Sequence, residues 1–176
     1  MALSKITTES LLDGEITAAK FATGVGGKVV QVVHVMNSTG ATGTTVLPAD
    51  NTIPQISEGN EVMTLAVTPT SSSNKLIISV VVNASHSATG TNLGAALFQD
   101  STSNALAYGW GWSAVGTTGV PIIFNYYMTA GTTSATTFKV RGGTSGAGTY
   151  SFNASAGVRV AGGVMASSIT ITEISA

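Results

Sequence analysis

Two histidines, His34 and His86, are the residues of this 176-residue chain that could serve as a general base near neutral pH. Nucleophilic catalysis also needs a nucleophile and a group that orients the base, yet neither histidine has an Asp or Glu within four residues. His34 lies in the apolar run 32–36, which favours a structural histidine, for example at a subunit contact. His86 is flanked by serines at the end of a predicted strand, so we expect it to be solvated. The sequence therefore predicts no catalytic residue.

A pair of carboxylates, Glu58 and Glu61, is the second candidate for chemistry. Glycoside hydrolysis uses two acids that face one cleft, and these two are close enough in sequence to share a site. The segment 58–61 is also an ordinary polar turn that enters a strand, and we favour this interpretation. It lacks the dense Asp-x-Asp spacing of a calcium loop, and the chain has no cysteine for a thiolate site. We expect no metal, and a hydrolase has the weakest support among the function classes.

The glycine-rich segment 24–28 superficially matches a phosphate-binding loop. It precedes a predicted strand and not a helix, and it lacks the Lys-Ser or Lys-Thr ending of such a loop. We interpret it as a linker and expect no cofactor. Nucleic acid is excluded as a partner because the net charge is −1 and the Lys and Arg residues are scattered singly, without a basic stripe.

Trp110 and Trp112 are the most suggestive residues for recognition. Side chains two apart on a strand lie on the same face, and the glycines beside them would leave both rings unobstructed, as sugar stacking requires. Packing at the sandwich edge or at a trimer contact would use the same apolar area, and we rank packing above binding. Tyr126 and Tyr127 point to opposite faces of one predicted strand, so at most one of them can join a surface patch.

The scarcity of charge limits what the surface of this chain can be. The chain has seven Lys and Arg and eight Asp and Glu, and six of these residues lie within the first 28 positions. A soluble monomer normally has about a quarter of its residues charged, so we expect other subunits or a larger assembly to cover much of the surface. The composition favours a structural component over a free catalyst.

Residues 1–27 are predicted to form an N-terminal docking arm with a Gly-rich linker, and residues 28–176 a single domain. The arm is amphipathic but too short to bury its apolar side chains alone. We expect it to dock on a partner through six apolar residues: Leu3, Ile6, Leu11, Leu12, Ile16 and Phe21. The segment lacks the architecture of a signal peptide, and the chain has no apolar span of about 20 residues, so we expect no membrane insertion.

Beyond residue 28, short runs of β-branched and aromatic residues alternate with turns of Gly, Asn, Ser and Pro. The clearest runs are 120–128 and 75–84, in which every second residue from Leu76 to Val82 is apolar and is expected to face the core. We also expect a strand at 44–47. A further hairpin is predicted to join the run that follows residue 92 to the run that begins at residue 105. About ten such strands without a convincing helix predict an all-β fold, an antiparallel β-sandwich or jelly roll.

Three stretches resemble virion proteins of tailed bacteriophages. The leader of many such proteins is similar to SKITTESLLDGEITAAKF at residues 4–21. Phage fibre and decoration domains contain a hairpin in which a strand, a Thr-Pro turn and a serine loop lead into a second strand. Residues 65–85, LAVTPTSSSNKLIISVVVNAS, resemble this hairpin. The last hairpin and final strand of these domains resemble NYYMTAGTTSATTFKVR at residues 125–141 and SSITITEI at residues 167–174.

This resemblance implies a jelly roll of the tumour necrosis factor and complement type, assembled as a homotrimer with one face of each sandwich against the threefold axis. The resulting hypothesis is a non-enzymatic capsid decoration or cement protein of a virion, assembled in the host cytoplasm and bound to other virion proteins through its arm. The alternative is a short tail-fibre or tail-tip module that binds a host surface glycan through Trp110 and Trp112.

Overall fold

Twelve strands form the fold of residues 28–176, the part of the chain that the computed structural model describes. They arise where apolar and polar residues alternate, since a period of two turns one set of side chains to the inside. In chain order the strands are β1 Val29–Asn37, β2 Ala41–Gly43, β3 Asn60–Val67, β4 Lys75–His86, β5 Thr91–Gln99, β6 Ala107–Ser113, β7 Val120–Thr129, β8 Thr136–Thr144, β9 Tyr150–Phe152, β10 Ala154–Ser155, β11 Val158–Arg159 and β12 Ser167–Ile174.

Eight of the strands form two antiparallel sheets that pack face to face. The first sheet has the order β1-β12-β4-β7, and the second has the order β3-β8-β5-β6. The short strand β9 pairs with the end of β4, and β2 pairs with β9, so that these two strands prolong the first sheet. Two four-stranded sheets between which the chain crosses repeatedly make a jelly roll. The predicted all-β antiparallel sandwich is therefore confirmed.

The core lies between the inner faces of the two sheets. On β4 the predicted alternation is confirmed, because every second side chain from Leu76 to Val82 is buried. Full burial of a Leu or Ile side chain contributes about 1.5–3 kcal/mol, so these positions stabilise the sandwich strongly. The largest buried side chains of the core come from both sheets: Leu76, Ile78, Leu93, Leu97, Ile122, Phe138, Tyr150, Phe152, Ile169 and Ile171.

One of the three expected hairpins is confirmed, and two are wrong. β5 and β6 form the predicted hairpin, with Leu97 opposite Ala107. The segment 65–85 instead crosses from β3 in the second sheet to β4 in the first, and the segment 125–141 crosses from β7 in the first sheet to β8 in the second. Alternation indicates which side chains face the core. Both sheets share that core, so alternation does not indicate which sheet a strand joins.

The expected strand at 44–47 is also wrong. The strand in this region is β2, and residues 44–59 form a loop, called here the strap, over the outer face of the second sheet. Leu47 of the strap is buried with Ala96 and Phe98 of β5, and its backbone amide donates to a β8 carbonyl at 2.8 Å. The apolar residues that suggested a strand therefore build this second, smaller core.

Glycines let the two sheets approach closely where β6 meets β7. A Cβ at Gly109 would lie 2.6 Å from Cδ1 of Phe124, and a Cβ at Gly111 would collide with Cγ1 of Val120. These two glycines lie on the inner face of β6, so the residues between and beside them point outward. β6 thus closes one side of the sandwich with its backbone and presents its large side chains to the outside.

Lys28 and Ser175 meet at one end of the sandwich, called here the terminal end. The backbone amide of Ser175 donates to the carbonyl of Lys28 at 2.8 Å, and Lys75 at the start of β4 lies at the same end. The opposite end, the loop end, carries the turns after His86 and before Val120. A segment that precedes residue 28 therefore joins the sandwich at the terminal end.

Candidate binding surfaces

The two tryptophans lie side by side on the outer face of the second sheet. β6 places Tyr108, Trp110 and Trp112 on one face, and these three side chains are called here the aromatic strip. Trp110 is 60% exposed and Trp112 is 56% exposed, so neither ring fills the core. The glycines between them make room for β7 on the inner face, a role different from the expected one. The prediction that the two tryptophans share a face is confirmed, and a binding role stays a prediction.

Small and polar residues of β5 lie opposite the aromatic strip. Gly94 is paired with Trp110, and Asn92 with Trp112. The ring of Tyr108 leans over Gly94, where a Cβ would collide with the phenol oxygen. The Oη of Tyr108 and the Oδ1 of Asn92 are both buried, and neither has a hydrogen-bond partner within residues 28–176. The sequence did not single out these two residues, because their neighbours come from separate strands.

A groove of about 380 Å³ separates the strap from the start of the aromatic strip. Asp50, Ile53 and Pro54 of the strap form one wall, and Leu106 and Tyr108 form the other. The groove combines an apolar lining with one carboxylate, an arrangement that orients a ligand while it buries apolar surface.

Asp50 carries the charge of this groove. Its carboxylate accepts hydrogen bonds from the hydroxyl (2.6 Å) and the backbone amide (2.8 Å) of Thr52, and these bonds lower the pKa of Asp50. Burial raises the pKa of Tyr108, and the negative charge of Asp50 raises it further. At neutral pH the groove therefore presents an ionised carboxylate beside a protonated phenol.

The middle of the outer face of the first sheet is an array of side chains without a Lys, Arg, Asp or Glu, and Lys75 lies on the same face in the next row towards the terminal end. Strand register aligns twelve outward side chains into three rows across four strands, and this surface is called here the row face. The rows are Val32, Thr172, Ile77 and Tyr127; His34, Thr170, Ser79 and Asn125; and Met36, Ser168, Val81 and Ile123. The large side chains at its edges are exposed, with Met36 at 67% and Ile123 at 65%. Two apolar rows thus flank one polar row.

The two histidines have different surroundings, and within residues 28–176 neither contacts a carboxylate. His34 is exposed in the polar row, and its Nδ1 lies 2.8 Å from the hydroxyl of Thr170. His86 is completely buried at the loop end, so the expectation that it is solvated is wrong. The reason is that β9 pairs with the end of β4 and covers it. Such a long-range pairing is not visible in the local sequence.

His86 is buried as a neutral imidazole. Its Nδ1 accepts a hydrogen bond from the backbone amide of Ala88 at 3.0 Å, so the ring proton is on Nε2. That Nε2 is buried without a partner within residues 28–176, close to the backbone of Gly148. Burial lowers the pKa of His86.

Glu58 and Glu61 form the polar turn and strand entry that the sequence favoured. The Glu58 carboxylate accepts a hydrogen bond from the backbone amide of Gln55 at 2.8 Å. Glu61 on β3 lies 3.9 Å from the Lys139 ammonium and 3.8 Å from the Arg141 guanidinium. Within residues 28–176, no group of three or more His, Asp or Glu is placed to hold a metal ion.

Glu173 forms a buried polar cluster that sequence reasoning missed. Its side chain is inaccessible to solvent, and its carboxylate accepts hydrogen bonds from Gln31 Nε2, from Asn74 Nδ2 (2.6 Å) and from the backbone amide and hydroxyl of Thr70 (2.8 and 2.9 Å). Burial alone would raise the pKa of Glu173, but these hydrogen bonds outweigh it and lower the pKa to about 2. The cluster joins β12, β1 and the loop before β4, which no sequence spacing brings together.

The six predicted docking residues lie outside the described part of the chain. They are Leu3, Ile6, Leu11, Leu12, Ile16 and Phe21. The arm and the domain boundary at residue 27 therefore stay predictions. Among residues 28–176, no helix is long and apolar enough to cross a membrane.

Comparisons with known proteins find distant structural likeness and no related sequence. No protein-family model matches the chain, and no curated protein sequence is similar to it. Among solved structures, Eiger TNF from S. frugiperda is 10% identical with a TM-score of 0.47, and the match covers 82% of this chain and 93% of that one.

Two structures from infectious bursal disease virus are also similar. The Gx strain structure is 13% identical with a TM-score of 0.39, and the VP2 subviral particle is 12% identical with a TM-score of 0.36. The matches cover 82% and 83% of this chain but only 42% and 38% of the viral chains, so this chain spans less than half their length. Identities and TM-scores this low do not bear on function, and the jelly-roll assignment follows from the strand order.

Proposed function

We propose that this chain is a non-enzymatic structural protein of a tailed-bacteriophage virion, a homotrimer that decorates the capsid and docks through residues 1–27. The row face is the observation that carries the proposal. Its twelve side chains hold no Lys, Arg, Asp or Glu, whereas a soluble monomer normally interrupts such a surface with charges. Association of three copies through this face would remove the two apolar rows from water.

The polar row favours a specific subunit contact over non-specific hydrophobic association. His34, Thr170, Ser79 and Asn125 run across the middle of the face and offer donors and acceptors between the two apolar rows. Polar groups at the centre of an apolar interface penalise every arrangement that leaves them unpaired. The row would therefore fix the register between subunits. The threefold symmetry comes from the resemblance to phage fibre and decoration domains.

Docking on the capsid is assigned to the apolar residues of the arm. A trimer about one axis would bring three terminal ends to the same side, and three arms that bind together gain about 10²–10⁴-fold in avidity over one. Binding to assembled capsid alone would stabilise the assembled state by mass action.

The mass of the full chain in solution tests the trimer. Light scattering behind a sizing column is expected to give a mass of three subunits at every concentration above the micromolar range. A stable monomer or dimer would contradict the proposal. Removal of residues 1–21 is expected to leave the trimer intact and to abolish binding to virions that lack the protein, and retained binding would refute the role of the arm.

A receptor-binding module of the tail is the second candidate function. The exposure of Trp110 and Trp112 on the sheet opposite the row face favours it. The double variant Trp110→Ala with Trp112→Ala separates the two candidates on whole virions. Loss of adsorption to the host with unchanged particle stability would indicate a receptor-binding module. Normal adsorption would leave the decoration protein as the better account.

A further inference from the structure

We propose that the aromatic strip and the groove beside it form a binding site for a neutral oligosaccharide. In this site one sugar ring stacks on Trp110, a neighbouring ring on Trp112, and hydroxyls donate to the Asp50 carboxylate. The site lies on the second sheet, whereas the row face lies on the first. The inference is therefore independent of the trimer, and it rests on the second candidate function, a receptor-binding module that uses Trp110 and Trp112.

The apolar part of the site is a continuous platform. The Cα atoms of Trp110 and Trp112 are about 6.6–6.8 Å apart along β6, since side chains that share a face of a strand are two residues apart. Both rings are more than half exposed, and the groove with Leu106 and Ile53 in its walls continues the platform. Aromatic faces of this kind pack well against the C–H faces of pyranose rings.

The polar atoms of the site are mostly hydrogen-bond acceptors. The Asp50 carboxylate only accepts, the Oδ1 of Asn92 only accepts, and the Oη of Tyr108 can do both. The last two are buried and have no partner within residues 28–176, so the exposed Asp50 carboxylate is the acceptor of this set that a surface ligand reaches. A ligand with donors satisfies this carboxylate, and sugar hydroxyls are donors. A polyproline peptide also binds aromatic surfaces, but proline has no N–H to donate, so the acceptors favour the sugar.

The charge of the site selects a neutral ligand. Asp50 is ionised, and neither the groove nor the strip includes a Lys or Arg. An acidic sugar would bring its carboxylate towards Asp50 without a cation to offset the repulsion. We therefore assign the site to uncharged sugars such as hexoses and N-acetylhexosamines.

Intrinsic fluorescence provides a direct measurement, because Trp110 and Trp112 are the two tryptophans of the whole chain. The full-length protein would be titrated with neutral tetrasaccharides of glucose, galactose, mannose and N-acetylglucosamine at up to millimolar concentration. A saturable change in emission with at least one of them is expected. No change with any of them overturns the proposal.

Three variants locate the bound sugar, with affinities measured by calorimetry. Tyr108→Phe removes a buried hydroxyl that a surface ligand does not contact and is expected to change the affinity less than about 2-fold. Asp50→Asn removes the charged acceptor and is expected to weaken binding roughly tenfold or more. The double variant Trp110→Ala with Trp112→Ala is expected to abolish binding. The matched control is Val164→Ala, an exposed apolar residue near the loop end, which should bind as the original chain does.

Other outcomes would overturn the assignment. Unchanged affinity in the tryptophan double variant would place the sugar elsewhere. Tighter binding of a sialylated tetrasaccharide than of its neutral parent would refute the neutral class. Saturable binding of a proline-rich decapeptide without binding of any sugar would show that the strip docks a peptide. A large loss of affinity in Tyr108→Phe would contradict the assignment of the sugar to the exposed surface, because the thermal midpoint of this variant is expected to equal or exceed that of the original chain.

Discussion

Phe124 of the first sheet packs its ring directly against the backbone of Gly109 in the second sheet, so a Cβ built on Gly109 would lie 2.6 Å from Cδ1 of Phe124. This contact holds β7 against β6 where the sandwich closes on one side. Gly109 does not have a positive φ, so packing and not backbone conformation requires a glycine there. The same close approach fixes Trp110 on the outer face.

Substitution of Gly109 is expected to destabilise the fold. Gly109→Ala forces the ring of Phe124 to move within a packed core, and overpacking of this kind costs about 1–3 kcal/mol. Chemical denaturation would measure the free energy of unfolding. Gly119→Ala is the matched control, because a Cβ at Gly119 meets no atom within 4 Å, and its effect should stay within about 0.5 kcal/mol. Equal effects at the two glycines would contradict the close-packing argument.

Glu173 is expected to make the fold sensitive to strong acid. Its pKa is about 2 in the folded protein and near 4.5 when unfolded, so the unfolded state binds the proton more tightly. The stability that Glu173 contributes is complete above about pH 4.5 and is lost as pH falls towards 2. At pH 7, Glu173→Gln is expected to lower the free energy of unfolding by about 1–3 kcal/mol. The reason is that the amide NH2 group would face the hydrogen-bond donors that now surround the carboxylate.

Urea unfolding of both proteins between pH 7 and pH 2.5 measures this effect. The difference in unfolding free energy between the original chain and Glu173→Gln should shrink as the pH falls below 4.5. A constant difference would show that the charge of Glu173 is not what the cluster stabilises.

His86 is expected to add a second, milder dependence on pH. Burial lowers its pKa below the 6.5 of an unfolded histidine, so the unfolded state binds the proton more tightly. The stability linked to neutral His86 is complete above pH 6.5 and is lost as the pH falls below that value. Thermal unfolding between pH 8 and pH 5 should show this loss in the original chain but not in His86→Gln. A loss of the same size in His86→Gln would assign it to another group.

A charge on the row face is expected to break the assembly without unfolding the subunit. Ile123 is exposed in the subunit and lies at the edge of an apolar row, so Ile123→Asp would place a carboxylate in the proposed contact. Light scattering should give a monomer, and circular dichroism should give an unchanged β spectrum. Val164→Asp, at an exposed position outside the row face, should keep the mass of the original chain. A trimeric Ile123→Asp would place the contact elsewhere.

The sequence predicted the class of the fold and the inner face of its central strand. The alternation from Leu76 to Val82 was sufficient for this, because burial on one face of a strand leaves a period of two. Sheet membership could not be predicted, since β3 and β4 carry the same kind of alternation and yet lie in different sheets. Segments 65–85 and 125–141 were misassigned as hairpins for the same reason.

The candidate site was predictable in part. The common face of Trp110 and Trp112 follows from their spacing. Asn92, which is paired with Trp112, comes from another strand, and Asp50, which lies in the groove beside Tyr108, comes from the strap, so only the folded chain brings these residues to the site. The Asp-x-Thr spacing at residues 50–52 is a local turn signal that could have drawn attention to Asp50. The four-residue cluster of Glu173 has no such signal.

The hydrogen bond between Ser175 and Lys28 brings the two ends of the sandwich together, so its chain connectivity could be changed by circular permutation without disturbing the sheets. Domains whose ends meet at the surface tolerate circular permutation, so a short linker could join residue 176 to residue 28 while the chain is reopened at the loop end. The arm would then be attached at the loop end. Under the proposed docking through the arm, a particle-bound permutant would present its loop end to the capsid in place of its terminal end.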